Sequence, residues 1–245
     1  MHRFYVPNLQ PPVLAAAEAH HCRQVLRLQA GDRVAVFDGR GHAAQCVIAE
    51  ISKSAVRLKV LLQTATPGLR CRITLAQAVP KKGMDLIVQK ATELGVAAIV
   101  PVLSERTVVR LDAAAPKLDR WREIALESCK QCGNNWLPTI EPPRSALDYF
   151  SNSGAFDLKL IASLQPDARP LPDFLPVPLP ASVLILIGPE GDFTPAEIAA
   201  AQAAGCRPLS LGSLVLRAET AALYALSILH YELQVRFPAQ GYPDP

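Results

Sequence analysis

From Arg72 to the end of the chain, short aliphatic runs alternate with helical segments, and no other feature constrains the fold as strongly. "RITLAQAV", "VAAIVPVL", "FDLKLIASL", "SVLILI" and "RPLSLG" read as strands. Between and after them, "GMDLIVQKATELG", "KLDRWREIALESCKQCG", "TPAEIAAAQAAG" and "AETAALYALSILHYELQ" read as helices. Strands this uniformly apolar are buried on both faces, so the pattern predicts a mostly parallel α/β sheet covered by helices on each side. In the first helix Leu86, Ile87, Lys90, Ala91 and Leu94 share one side, and Gly95 stops it. The proline-rich stretch "QPDARPLPDFLPVPLPA" is predicted to bridge over the surface without regular structure.

The residues before this alternation have a different rhythm. "DRVAVFDG", "HAAQCVIAEI" and "AVRLKVLL" alternate as strands, separated by turns at Gly39-Arg40-Gly41 and Ser52-Lys53-Ser54. In the last of them Val56, Leu58 and Val60 point one way, and Arg57 and Lys59 the other. A helix over "AAAEAHHCRQVLRL" precedes the hairpins, and "TATPG" (64–68) reads as a linker. The expected division is a small β-barrel over 1–68 and an α/β domain over 72–245. Charge follows the same division: residues 1–72 hold ten Lys/Arg against four acids, and the rest 15 against 18. A basic first part beside a mildly acidic second part points to a polyanionic partner for the first, or to a solvated surface with a chance excess.

The 245 residues are half hydrophobic, enough for a sizeable core. The apolar runs are too short to span a bilayer, and "MHRFYVPNLQPP" carries no signal segment, so a cytoplasmic protein with no membrane association is expected. Six cysteines then read as free thiols. Cys129 and Cys132 form a C-x-x-C, but no second ligand pair follows and the pair falls in a helix, so no metal site is expected.

The aliphatic run "SVLILI" ends abruptly at Gly188-Pro189-Glu190-Gly191, and a helix start follows at once. Thr194 can cap it, Pro195 suits its first position and Glu197 can close a capping box. The corner thus lies between a strand's C-terminal end and a helix N-terminus, where open parallel sheets bind ligands. It matches neither the triphosphate-binding nor the dinucleotide-binding glycine pattern, and Glu190 would repel phosphate. A neutral or cationic ligand fits better, with the glycines admitting close approach of a purine edge or ribose; an ordinary tight turn is the bland alternative. In a parallel sheet Lys81-Lys82, Ser104-Glu105-Arg106-Thr107, Leu164-Gln165-Pro166 and Leu211-Gly212 gather along the same edge.

Four segments, "QKATELGVAAIVPVLSERT", "RWREIALESCKQCG", "IGPEGDFTPAE" and "LGSLVLRAETAALYAL", in this order resemble the RsmE family. These are bacterial methyltransferases acting on N3 of a uridine in 16S ribosomal RNA. The resemblance implies a PUA-like β-barrel followed by a SPOUT-class fold with a C-terminal trefoil knot, and a homodimer. It implies S-adenosylmethionine as cofactor, held by Leu164-Gln165, by Ile187, Gly188, Pro189, Glu190 and Gly191, and by the Leu211 to Thr220 loop through Leu211, Gly212, Leu216 and Thr220. Four positions depart from the pattern that the resemblance implies: Asn134 stands where the family usually has an arginine, Ser213-Leu214 where it usually has Pro-Arg, and Asp192 where it usually has a glycine.

Uridine N3 must lose its proton to attack a methyl group, so positive charge near the uracil helps. Arg217 is the candidate for that charge, with Glu219 or Glu190 orienting the base or taking the proton; a bracing ion pair of Arg217 with either carboxylate is the plain alternative. Arg23, Arg27, Arg57, Lys59, Lys81, Lys82 and Arg106 are the expected contacts to the 16S ribosomal RNA or small ribosomal subunit. Rival readings are a SPOUT enzyme with another target such as a ribose 2′-hydroxyl, an inactive RNA-binding relative, and a nicotinamide-dependent oxidoreductase.

Overall fold

A computed structural model of the protein describes residues 1–107 and 115–236. The chain divides into two units, Met1–Gly68 with Leu126–Leu137, and Leu69–Ala125 with the chain from Pro138 onward.

The first unit contains β1 (His2–Tyr5), β2 (Val13–Ala15), α1 (Ala16–His20), β3 (Arg33–Phe37), β4 (His42–Ile51) and β5 (Ala55–Ala65). They form a five-stranded mixed sheet in the order β1-β3-β4-β5-β2, with β1 parallel to β3 and the other pairs antiparallel. The sequence marks β3, β4 and β5. It hides β1 and β2, because Pro7, Pro11 and Pro12 interrupt any alternation there. The turn expected at Ser52 is closed by its hydroxyl, which accepts from the Ala55 N–H at 3.0 Å and donates to its carbonyl at 2.9 Å. Phe4, Leu14, Val34, Val36, Ile48 and Val56 are buried as one core.

The C-terminal half of the long helix α3 (Leu118–Cys132) and the residues that follow it to Leu137 belong to this unit as well. Gly41 has φ +93°, and a Cβ there would lie 2.4 Å from the Trp136 indole, so only glycine lets that ring seat. Arg3 donates to the Asn134 carbonyl at 2.9 Å and to Asn135 Oδ1 at 2.6 Å, with its guanidinium 4.3 Å from the Phe37 ring centre. Lys130 pairs with Glu18.

The second unit carries β6 (Arg72–Ala78), α2 (Met84–Glu93), β7 (Ala98–Leu103), β8 (Thr139–Ile140), β9 (Arg144–Ser145) and α4 (Ala146–Ser151). After them come β10 (Leu158–Ala162), β11 (Ser182–Ile187), α5 (Pro195–Ala203), β12 (Arg207–Leu209) and α6 (Ala218–His230). The strand order is β12-β10-β11-β6-β7-β8, with β9 also on β7, and each pairing is parallel. The expected α/β sheet is present, with Leu75, Val100, Val102, Leu160, Leu184 and Leu186 almost fully buried. Each such side chain contributes about 1.5–3 kcal/mol of burial. The proline-rich stretch holds one short helical turn, Leu171–Phe174.

Two helix faces sharpen the sequence reading. On α2 the buried residues are Met84, Ile87, Val88, Ala91 and Thr92, while Leu86 is 42% exposed. The buried stripe is therefore rotated by one residue from the expected side. On α6 the stripe Ala222, Leu226 and Leu229, continued by Leu233, is buried, whereas Tyr224 and Tyr231 stay exposed. Among the described residues no helix is long and apolar enough to cross a membrane.

Candidate cofactor and substrate site

Strands β12, β10 and β11 are adjacent and parallel, so the loops after them emerge side by side at one sheet edge, one strand spacing apart. Together they line a cleft. Ala162, Ser163 and Leu164 come from the end of β10, Ile187, Gly188, Pro189, Glu190 and Asp192 from the corner, and Leu211 and Leu214–Leu216 from the loop after β12. Ala218 and Ala221 add the first turns of α6. Of the cofactor residues expected from sequence, Leu164, Ile187, Gly188, Pro189, Glu190, Leu211 and Leu216 meet here. Gln165, Gly191, Gly212 and Thr220 flank the cleft without lining it: the Gln165 N–H donates to Ser163 Oγ, and Gly212 turns the chain at φ +105°. Asp192 and Ala221 lie outside the segments expected from sequence, whereas Leu214, Val215 and Ala218 fall inside the Leu211 to Thr220 loop without having been singled out; small residues three apart at the start of a helix were the available signal for Ala218 and Ala221.

The corner is fixed by its own turn chemistry. Asp192 N–H closes a turn on the Pro189 carbonyl at 2.9 Å. Asp192 itself has φ +59°, a conformation glycine adopts freely and aspartate tolerates. Its Oδ1 accepts from the Phe193 N–H at 2.7 Å. Asp192 thus holds a backbone conformation that a glycine would adopt freely. A Cβ on Gly188 would lie 3.1 Å from Asp192 Oδ1, so that position is tight as well.

Neighbouring loops hold the corner from outside. Glu190 Oε1 accepts from the Lys81 N–H at 3.0 Å, which ties the corner to the end of β6. Arg106 donates to the Gly191 carbonyl at 2.8 Å and to the Phe193 carbonyl at 3.4 Å. The capping box forms as expected: Thr194 Oγ1 accepts from Glu197 N–H at 3.2 Å, and Glu197 accepts from Thr194 N–H at 2.8 Å. Glu197 does more than the motif requires. It is 1% exposed and also accepts from Ser104 Oγ at 2.8 Å and from Glu105 N–H at 3.0 Å.

Two of the three candidate reacting groups, Arg217 and Glu219, lie at the start of α6, and the third, Glu190, lies in the corner. Arg217 is the N-cap residue and is exposed; it forms no ion pair among the described residues, so the bracing pair with Glu219 or Glu190 is not what holds it. Glu219 is half-buried beside Gly83, whose φ of +94° starts α2; a Cβ there would lie 3.9 Å from the Glu219 carboxylate. Of the expected RNA contacts, Arg27, Lys59, Lys81 and Lys82 are exposed, and Arg57 pairs in solvent with Glu50 at 3.3 Å. Arg23 is drawn into the first unit, donating to the Ala19 and Ser52 carbonyls at 3.2 and 3.0 Å. Arg106 is committed to the corner in the same way. Asn134 serves the backbone, its Oδ1 accepting from the Trp136 N–H at 2.9 Å. Burial pushes the Cys129 thiol up to about 12. Among the described residues no group of three His, Cys, Asp or Glu is arranged to hold a metal ion.

Comparison with known proteins gives this arrangement a class. A family model described as an RNA methyltransferase domain matches residues 67–230, and one described as an RNA methyltransferase PUA domain matches residues 14–61. The chain has the fold of an RNA methyltransferase domain preceded by an RNA methyltransferase PUA domain. Relatives named ribosomal RNA small subunit methyltransferase E are similar along most of the chain. The one from Synechocystis is 34% identical over 90% of this chain and 73% of that protein, and the one from Bacillus subtilis 32% identical over 91% and 90%. The crystal structure of the Neisseria gonorrhoeae methyltransferase E bound to S-adenosyl methionine superposes with a TM-score of 0.85, at 34% identity over 95% of this chain and 98% of that one. The chain belongs to the ribosomal RNA small subunit methyltransferase E family, RsmE.

Proposed function

We propose that the protein transfers a methyl group from S-adenosylmethionine to N3 of a uridine in 16S ribosomal RNA. One observation carries the cofactor part: among the described residues the charged side chains lining the cleft are the carboxylates of Glu190 and Asp192, with no lysine or arginine beside them. Such a lining repels a phosphate and accepts a cation, and a sulfonium bearing an adenosine is a cation with a large neutral body. The apolar walls from Leu164, Ile187, Leu211 and Leu216 suit the adenine, and the backbone at Gly188 admits close approach. When bound, the cofactor supplies an electrophilic methyl group.

The chain's own groups do the rest. Arg217 stabilises the negative charge that develops on the uracil as N3 loses its proton. Glu219 or Glu190 receives that proton or orients the ring. Glu190 is held at one oxygen by the Lys81 N–H, which leaves its second oxygen to act. The knotted path belongs to the same reading. Its support is the strand order, in which β11 enters between β6 and β10, both laid down earlier.

The test is deletion of the gene in the native host, followed by digestion of the small-subunit RNA and mass spectrometry of its nucleosides. Loss of one base-methylated uridine is expected. Loss of a 2′-O-methyl nucleoside would redirect the assignment to the ribose, and an unchanged nucleoside profile would refute methyl transfer to this RNA.

Arg57 and Lys59, on the outward side of β5, contribute RNA affinity through phosphates. Changing both to glutamine is expected to weaken RNA binding and to lower the slope of log affinity against log salt by about one for each phosphate no longer neutralised. An unchanged slope would move the RNA surface elsewhere.

The exposed stripe of α6 is assigned to a second copy of the chain. Tyr224 on α6 is 46% exposed and Tyr231, just after it, 56%, while the opposite stripe of the helix is already buried, and aromatic rings of this kind are enriched at interfaces. Sedimentation should give twice the chain mass for the native protein and a single chain mass for the Tyr224→Glu, Tyr231→Glu double variant.

A further inference from the structure

Gln77 is the register partner of Ile187, the last residue of β11, and is fully buried in the centre of the sheet. Its Nε2 does not reach across to a neighbouring strand. It donates at 2.9 Å to the carbonyl of the next residue, Ala78. Its Oε1 is buried with no hydrogen-bond partner among the described residues. A buried amide left half satisfied calls for an explanation.

The parallel ladder supplies it. At the start of β6 the Arg72 N–H donates to the Ala181 carbonyl. In a parallel pair that pattern repeats every second residue, so Arg72, Thr74, Ala76 and Ala78 all turn their N–H and C=O toward β11. Continuing the register, the Ala78 carbonyl falls to the N–H of residue 189. Residue 189 is a proline and has none. The pairing of β6 with β11 accordingly ends at Gln77 and Ile187, one step before Ala78 would join it. Without a substitute donor a buried carbonyl would be orphaned at the point where the chain leaves the sheet to form the cleft.

We propose that Gln77 is a positioning residue: its side-chain amide stands in for the main-chain donor that Pro189 lacks and thereby fixes the cofactor corner. The inference rests on the cofactor site assigned above and deepens it. Proline at 189 lets the corner turn away from the sheet at once, because no ladder bond can hold it down. Gln77 keeps β6 closed at the same level, so the corner departs from a rigid edge. The unbonded Oε1 fits this assignment, since the amide is oriented for Ala78 at the expense of its own oxygen.

The experiment is a double-mutant cycle on the full chain, with S-adenosylmethionine binding measured by calorimetry. Gln77→Met keeps the volume and removes the donor; the dissociation constant is expected to rise about tenfold. Pro189→Ala returns an N–H to the ladder, so in that background Gln77→Met should change the constant by less than about twofold. Equal losses in both backgrounds overturn the proposal. A merely structural role would lower the thermal midpoint of Gln77→Met and leave cofactor binding unmoved, which also overturns it. Absence of binding by the native chain sinks the cofactor reading instead. For that case, and for a Gln77→Met chain that does not fold, hydrogen exchange on Pro189→Ala alone decides. Slow exchange at the new residue 189 amide is expected, and exchange at the rate of an open loop refutes the missing donor.

Discussion

Replacing Arg217 with alanine is expected to cut methyl transfer by about a hundredfold or more while leaving S-adenosylmethionine binding unchanged. The two halves of that result come from separate features. Arg217 is not among the residues lining the cofactor cleft, although Leu216 and Ala218 on either side of it are. Its side chain is exposed at the start of α6 and is spent on no carboxylate of the described chain. A guanidinium held in that way is available to a substrate anion. Single-turnover kinetics with saturating RNA, paired with calorimetry, would check both halves. Arg217→Lys keeps the charge but loses the planar fork, and is expected to recover part of the rate. Normal turnover by the alanine variant would remove Arg217 from the chemistry, and a matching loss of cofactor affinity would recast it as a cofactor residue.

The second large effect is on stability. Glu197→Ala removes a buried acceptor that serves the Ser104 hydroxyl and the N–H groups of Glu105 and Thr194. Leaving buried donors unpaired costs about 1–3 kcal/mol each, so the loss after relaxation is expected at about 2–4 kcal/mol. For a chain of this size the thermal midpoint falls on the order of 10 °C. The ordinary loss of a helix cap is about 1 kcal/mol, so the excess measures the tie to the loop after β7. Thermal unfolding of Glu197→Ala beside Thr194→Ala separates the two contributions. Equal shifts for both variants would mean that Glu197 acts as a cap and nothing more.

The sequence revealed these features unequally. The capping box was legible because it is local: Thr194, Pro195 and Glu197 carry it within four positions. The parallel sheet was legible because aliphatic runs such as Ser182–Ile187 have one stable home. Contacts between distant residues were not. Nothing near Glu197 in the chain announces Ser104, and nothing near Gly41 announces Trp136. Arg23 and Arg106 show the same limit from the other side. A lone arginine after a strand or on a helix reads as a free cation until the carbonyl it holds is known. The rotated face of α2 has a different cause. Leu86 and Val88 are both apolar and sit on either side of Ile87, so composition alone could not choose between them. Asp192 was legible as a departure, but only its backbone conformation explains why an aspartate can stand there.

The sheet order also bears on how the chain is made. Strand β10 has β11 and β12 as its neighbours, and both are synthesised after it. Until residue 187 has left the ribosome, β6 offers one bare flank and β10 two, each a row of unsatisfied main-chain groups. A nascent chain halted before Ser182 therefore has no way to complete its centre, and is a natural client for chaperones or target for proteases.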